Sequence, residues 1–395
     1  MIDLQGYNFE KLRESAKNPI WIDSDDALQE HCARWRKLPL VVMDTEFVRT
    51  TTYWAHPGLI QVADQERSYL IDPSAIRIWY PLKKLMTSED VIKVLHSPSE
   101  DLELFIRLLN VKPVRIYDTQ IAAALAGWGL TMSLQKLIKR AIDVDLDKGE
   151  TRSDWLQRPL TDSQKLYAAY DVVYLAEVVQ ILDRELEKLG RLEWMEEESV
   201  AQLNAIADDD TAIREYYRRF TQLSHFDNVQ IAGLRELCIW REKTARIMDM
   251  PRNRLMSNDV LQDLIVHWPR NKSQLAKIKG ITKYVMIHHD QQILRCTLQA
   301  AALARMEPPK PIDYPIPPRL KPYTKAARAL GAQVAEEQNI LPDLLIRKRD
   351  IDAVIRSKKL TGFYELPSTL MGWRRPLVGD KLIEIFNEMD ETSKC

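Results

Sequence analysis

Residues 38–47, LPLVVMDTEF, decide the fold. Leu40, Val41, Val42 and Met43 follow one another without a polar break, the pattern of a strand buried on both faces. Acids appear where this apolar run gives out. Side chains alternate along a strand, so Asp44 and Glu46 share one face while Thr45 and Phe47 take the other. Two carboxylates so close repel each other unless a cation lies between them. Oxygen-only ligands suit Mg²⁺ or Mn²⁺ rather than zinc. A solvated strand edge could carry the same three letters, so the motif needs company.

Outward from this stretch, SDDALQEHCARWRK (24–37) reads as an amphipathic helix, GLIQVAD (58–64) and SYLIDP (68–73) as a hairpin or meander, and VIKVLHS (91–97) as a fourth strand. Helical periods follow through Leu104, Leu108, Leu137 and Ile138, then a long helix from about 162 to 188. Strands first and then strand–helix alternation predict an α/β or α+β domain of catalytic size, ending near residue 210. From 216 onward the periodicity is helical only. It breaks at EPPKPIDYPIPPRLKPY (307–323), which holds seven of the 20 prolines and reads as an extended, semi-rigid linker. Ala245, Pro251 and Gly280 line up against Ala335, Pro342 and Gly372, which suggests two related helical modules.

The chain has 395 residues, 45% hydrophobic and 29% charged, which excludes collagen-like, mainly disordered and disulfide-scaffold classes. No stretch approaches 18 uninterrupted apolar residues, and the first residues, MIDLQGYNFEKLRES, lack the apolar core of a signal peptide, so a cytoplasmic protein is expected. Cys32, Cys238, Cys296 and Cys395 have no metal-ligand spacing and read as reduced thiols. The net charge of −1 hides an acidic front, with 26 basic and 37 acidic residues in 1–215, and a basic back with 30 and 20. Such asymmetry points to polyanion binding by the basic part.

Two further elements carry acids. In LHSPSEDLELF, Ser97 reads as a cap, Pro98 as the first helical position and Glu100 as the capping-box partner, which puts Asp101 in the first turn of a helix. There it could simply complement the helix dipole. Thr161 and Gln164 form a second capping-box pattern, and the helix they start stacks Tyr167 and Asp171 on one face. A phenol beside a metal-holding carboxylate can orient an attacking water or accept its proton.

Asp44-Thr45-Glu46, Asp101 within HSPSED, and Tyr167-x-x-x-Asp171, in this order, resemble the DEDD exonucleases of the tyrosine subtype. HPGLIQVAD, LIDP, IYDTQIAAAL and KGETRSDWLQRPLTDSQKLYAAYDVVYL resemble the ribonuclease D family over about 20–210. LRELCIWREKTAR (234–246) and LAKIKGI (275–281) resemble its C-terminal HRDC module, and 324–390 does so less closely. The resemblance implies an α/β ribonuclease H-like exonuclease domain with a mixed sheet (1–215), a first all-α HRDC module (216–306), the Pro-rich linker (307–323) and a second HRDC-like module (324–395). It implies Asp44, Glu46, Asp101 and Asp171 as ligands of two divalent ions, Mg²⁺ or Mn²⁺, and Tyr167 as the water-orienting or general-base residue. Phe47 and His96 are either contacts to the terminal nucleotide or packing residues; Asp118 and Asp154 are caps or turn formers.

The implied activity is hydrolysis of the 3′-terminal phosphodiester of RNA with release of nucleoside 5′-monophosphates, in 3′ maturation of transfer RNA precursors and small structured RNAs. A monomer with no membrane partner and no obligate protein partner is expected as well. A DNA-directed 3′–5′ exonuclease would use the same ligands, and a non-catalytic nucleic-acid-binding protein could keep the fold, though the intact five-residue set argues against it. The sequence has no G-x-x-x-x-G-K-[ST], H-E-x-x-H or G-x-S-x-G motif.

Overall fold

The computed structural model describes residues 2–146, 149–150, 153–206, 209–221, 223–310, 312 and 314–392. Six strands form one mixed sheet: β1 (Ile20–Ile22), β2 (Leu40–Val48), β3 (His56–Ala63), β4 (Ser68–Ile71), β5 (Ile92–Leu95) and β6 (Ile116–Asp118). Their order is β1-β4-β3-β2-β5-β6. β3 and β4 are antiparallel, Ile60 opposite Ile71, as a hairpin requires. β5 runs parallel to both β2 and β6. The apolar run of β2 is fully buried from Leu40 to Met43, in keeping with its place inside the sheet.

The sequence reading misses β1 and β6, which are three residues each and too short to show a period. The helix read as continuous over 162–188 is two helices, Asp162–Val173 and Leu175–Lys188, meeting at Tyr174. Val172, Val173, Val178 and Val179 all enter the same core, so the apolar period runs on through the break. Ser97 does not cap its helix: it sits at φ +55°, and the helix Ser99–Leu109 starts after Pro98 without a side-chain cap. The capping box at Thr161 and Gln164 forms as expected.

Two compact units result. One comprises 1–48, 57–205 and 316–395, the other 49–56 and 206–315. The last helices therefore share a core with the sheet instead of standing alone. Tyr323, Leu382 and Phe386 belong to one buried cluster with Leu40, Val94 and Leu182, and Trp373 stacks on Trp194 at 4.3 Å. In the second unit the helices Asn228–Ile247 and Asp290–Met306 pack together, and Tyr53 from the short segment 49–56 is buried among them.

The repeat seen in the sequence is a repeat of backbone. Helix Asn228–Ile247 is followed by Asp249 at φ +46°, with Met250 N bonded back to Ala245 O; helix Lys321–Glu337 is followed by Asn339 at φ +49°, with Ile340 N bonded back to Ala335 O. Each then meets a proline, a four-residue helix and an extended residue, Met256 or Ile346. Cys32, Cys238 and Cys296 are free thiols, and Cys395 lies outside the described residues, as do Pro311 and Asp313 of the linker.

Candidate active site

β2 and β5 lie side by side and parallel, with Val42 in register with Val94, so Asp44 stands on β2 just past the level at which β5 ends. The helix Ser99–Leu109 follows β5 directly and brings Asp101 to that edge. The helix Asp162–Val173 packs across β2 and β4 and brings Tyr167 and Asp171. Parallel strands whose carboxyl ends open onto one crevice are where sheets of this kind hold their chemistry.

Oxygens of Asp44, Glu46 and Asp171 lie within 4.8 Å of one another. Asp101 stands beside this trio. Its Oδ1 accepts from the Thr45 hydroxyl, and among the neighbouring carboxylates its charge acts most strongly on Asp44. Asp101 and Asp171 are 8% and 6% exposed, and Asp44 and Glu46 are half-buried. Among the described residues none of the four pairs with a lysine or arginine.

Burial raises every one of these carboxyls above its ordinary range. For Asp44 the shift is large, with Asp101, Asp171 and Glu46 adding to it. Glu46 is pushed up to about 8 by burial and by its Asp171 and Asp101 neighbours. Asp171 rises to about 7 through burial, against a hydrogen bond from Tyr167 that pulls it down. Asp101 rises to about 6 through burial, opposed by the Thr45 bond. Crowded, desolvated acids without an internal counter-charge, all oxygen donors, form a site that fits divalent cations.

All four acids and Tyr167 thus converge. Tyr170 does not: it packs against the main core, while Tyr167 lies with Trp155 and Leu59. Phe47 follows Glu46 on β2 and is half-buried. His96 is fully engaged by the protein, Nε2 donating to Met132 O at 3.0 Å and Nδ1 meeting Thr119 Oγ1 at 2.9 Å. Burial lowers its pKa and favours the neutral ring. Asp118 caps the helix Thr119–Leu125 and also accepts from Ser97 N, and Asp154 turns the chain by accepting from Leu156 N. Thr45 is a site residue that sequence reasoning misses. Alternation alone sends it to the far face, and only its place between two acids hinted at more.

Within this geometry the likeness to known proteins is specific. The family model for the 3′–5′ exonuclease domain matches residues 19–187, and that for the HRDC domain matches 230–297. Ribonuclease D of Pseudomonas paraeruginosa (strain PA7) is 40% identical over 363 residues, covering 92% of this chain and 96% of the relative. Ribonuclease D of Escherichia coli K12 is 32% identical over 373 residues, covering 93% and 98%. The crystal structure of Escherichia coli RNase D, described as an exoribonuclease involved in structured RNA processing, superposes with a TM-score of 0.85 over 94% of this chain and 99% of that one. The fold is that of a 3′–5′ exonuclease. The chain belongs to the ribonuclease D family of 3′–5′ exoribonucleases.

Proposed function

We propose that the cluster of Asp44, Glu46, Asp101 and Asp171 holds two divalent cations, Mg²⁺ or Mn²⁺, and that the protein uses them to hydrolyse the 3′-terminal phosphodiester of RNA. One observation carries this reading: three carboxylates within 4.8 Å of one another, with no cationic side chain paired to them among the described residues. When bound, divalent cations supply Lewis acidity that activates water and offsets charge building on the phosphate. Thr45 fixes the rotamer of Asp101. Tyr167 hydrogen-bonds to Asp171 through its hydroxyl, and its phenolic oxygen accepts from the attacking water and orients it. Water adds to phosphorus, the bond to the 3′ oxygen breaks, and a nucleoside 5′-monophosphate leaves a chain shorter by one residue.

Phe47 is proposed to lie against the terminal nucleotide, whereas the two protein bonds of His96 favour a packing role for that ring. Precursor transfer RNAs and other small structured RNAs are the proposed substrates, in the cytoplasm and by a monomer; the likeness to the Escherichia coli enzyme supports structured RNA. No helix among the described residues is long and apolar enough to cross a membrane. The division into an exonuclease domain (1–215), HRDC module (216–306), linker (307–323) and second HRDC-like module (324–395) is kept as a proposal about descent, whereas packing follows the two units above.

A 3′-extended transfer RNA and a matched single-stranded DNA, each incubated with Mg²⁺ and then Mn²⁺, test the reading. Stepwise shortening of the RNA is expected. Preferential shortening of the DNA would make the protein a DNA exonuclease, and binding of both without cleavage would make it a non-catalytic one.

A further inference from the structure

A small second core lies under the active site. It joins Leu59 of β3, Leu70 of β4, Trp155, Leu160 and Ala168, with Trp21, Val48 and Tyr167 packed against it. Trp155 is 2% exposed, and its ring packs beside that of Tyr167, tilted by 41° with 6.1 Å between centroids. Its indole N–H has no acceptor among the described residues. Buried tryptophan normally finds one, so here the ring is seated by packing at the cost of a hydrogen bond.

That seat is built from three sides. A Cβ at Gly58 would stand 2.6 Å from Trp155 Cβ and 2.7 Å from its carbonyl oxygen, closer than real contacts allow, so glycine is what admits the tryptophan. Arg158 then ties the segment to the sheet. Its Nε and Nη2 form a bidentate pair with Asp72 at 2.7 and 2.6 Å, and Nη2 also donates to Gly58 O at 2.7 Å. Finally Gln164, 1% exposed, binds the segment to the helix of Tyr167: Nε2 donates to Asp154 O at 3.1 Å, and Oε1 accepts from Gln157 Nε2 at 2.7 Å.

We propose that Trp155 is a positioning residue for catalysis, held by Gly58, Arg158–Asp72 and Gln164 so that its ring fixes Tyr167 and thereby the hydroxyl at Asp171. The proposal rests on the reading of Tyr167 as the water-orienting residue. Tyr167 has a flexible χ1, and a large buried ring packed beside its own removes the rotamers that would swing the hydroxyl away. A displacement of this kind is costly, because a misplaced catalytic group loses rate steeply with distance. Trp155 itself touches neither substrate nor metal in this account.

The test is a double-mutant cycle read by single-turnover cleavage of RNA, with RNA affinity and thermal midpoint measured alongside. Trp155→Leu should slow the chemical step roughly 10- to 100-fold with RNA affinity unchanged. Trp155→Phe, which restores an aromatic wall, should recover most of that loss. In the Tyr167→Phe background Trp155→Leu should cost nothing further. If both losses multiply, Trp155 does not act through Tyr167 and the proposal is overturned, while the role of Tyr167 stands. If Tyr167→Phe alone runs at the wild-type rate, the reading of Tyr167 fails and takes the proposal with it. Gly58→Ala displaces Trp155 from the other side without changing its chemistry, and the same loss confined to the Tyr167 background is expected; a multiplicative loss there overturns the proposal even where Trp155→Leu does not fold.

Discussion

Asp44 and Glu46 sit where burial and mutual repulsion oppose their charge, and that has a cost the free protein must carry. Glu46 titrates near 8 in the fold against an ordinary 4.5, so between those values the folded state holds a proton that the unfolded chain has lost. Stability from this group is therefore complete at acid pH and falls as pH rises through the folded value. In chelator, wild type should lose thermal midpoint between about pH 5 and about pH 8, and Glu46→Gln should flatten that slope. Parallel curves would show that Glu46 does not carry the charge strain. Tyr167→Phe should slow single-turnover cleavage about 10²- to 10⁴-fold with RNA binding retained. Tyr170 faces the main core and supplies the control, since Tyr170→Phe should leave the chemical step unchanged. The reverse pattern would mean that Tyr170, not Tyr167, carries the phenol that matters.

The turn between β5 and the helix of Asp101 depends on a residue far along the chain. Asp118 Oδ1 accepts from both Ser97 N and Gln120 N at 2.9 Å, and its Oδ2 takes Gln202 Nε2 at 3.1 Å. Asp118→Ala strips a helix cap and a buried turn of their acceptor, so stability should drop by about 1–3 kcal/mol in urea titration. Unchanged stability would mean that water replaces the carboxylate. This element also marks the limit of what the sequence reveals. The β2 strand and the Thr161 capping box are local patterns, and both appear in the structure as read. The left-handed Ser97 is set by Asp118, twenty-one residues away, and no local pattern announces it. The acids of the site are legible because each sits in an element with its own local signature, whereas Trp155 and Gly58 matter through a contact that only the fold creates.

At the scale of the whole chain, charge and packing divide the molecule differently. Residues 216–395 carry the basic excess, yet 316–395 share a core with the sheet and 49–56 leave it for the other unit. There Tyr53 is buried, its hydroxyl bonded to Glu242, Arg246 and Arg252, and Trp54 N donates to Asp249. Truncation near 215 would remove 316–395 from the core it shares with the sheet and strip 49–56 of its partners, so substitution is the cleaner probe of the basic surface. Lys277, Lys279 and Lys283 are exposed and in no ion pair among the described residues. Replacing all three by alanine should lower the salt slope of RNA binding by about 2, from roughly 0.7 per phosphate contact on a single strand, with cleavage of a short oligonucleotide unaffected. An unchanged slope would place the phosphate contacts elsewhere.

The central claim is that four acids make one metal-dependent nuclease site. It is tested most directly by the rate at which a 3′-labelled RNA releases its labelled terminal nucleoside 5′-monophosphate in Mg²⁺, with a 5′-labelled copy followed for its length, for Asp44→Asn, Glu46→Gln, Asp101→Asn and Asp171→Asn beside wild type. Wild type should shorten the RNA one nucleotide at a time from its 3′ end, and each variant should fold, bind the RNA and release essentially nothing; a near-wild-type rate from any one of the four would contradict the account.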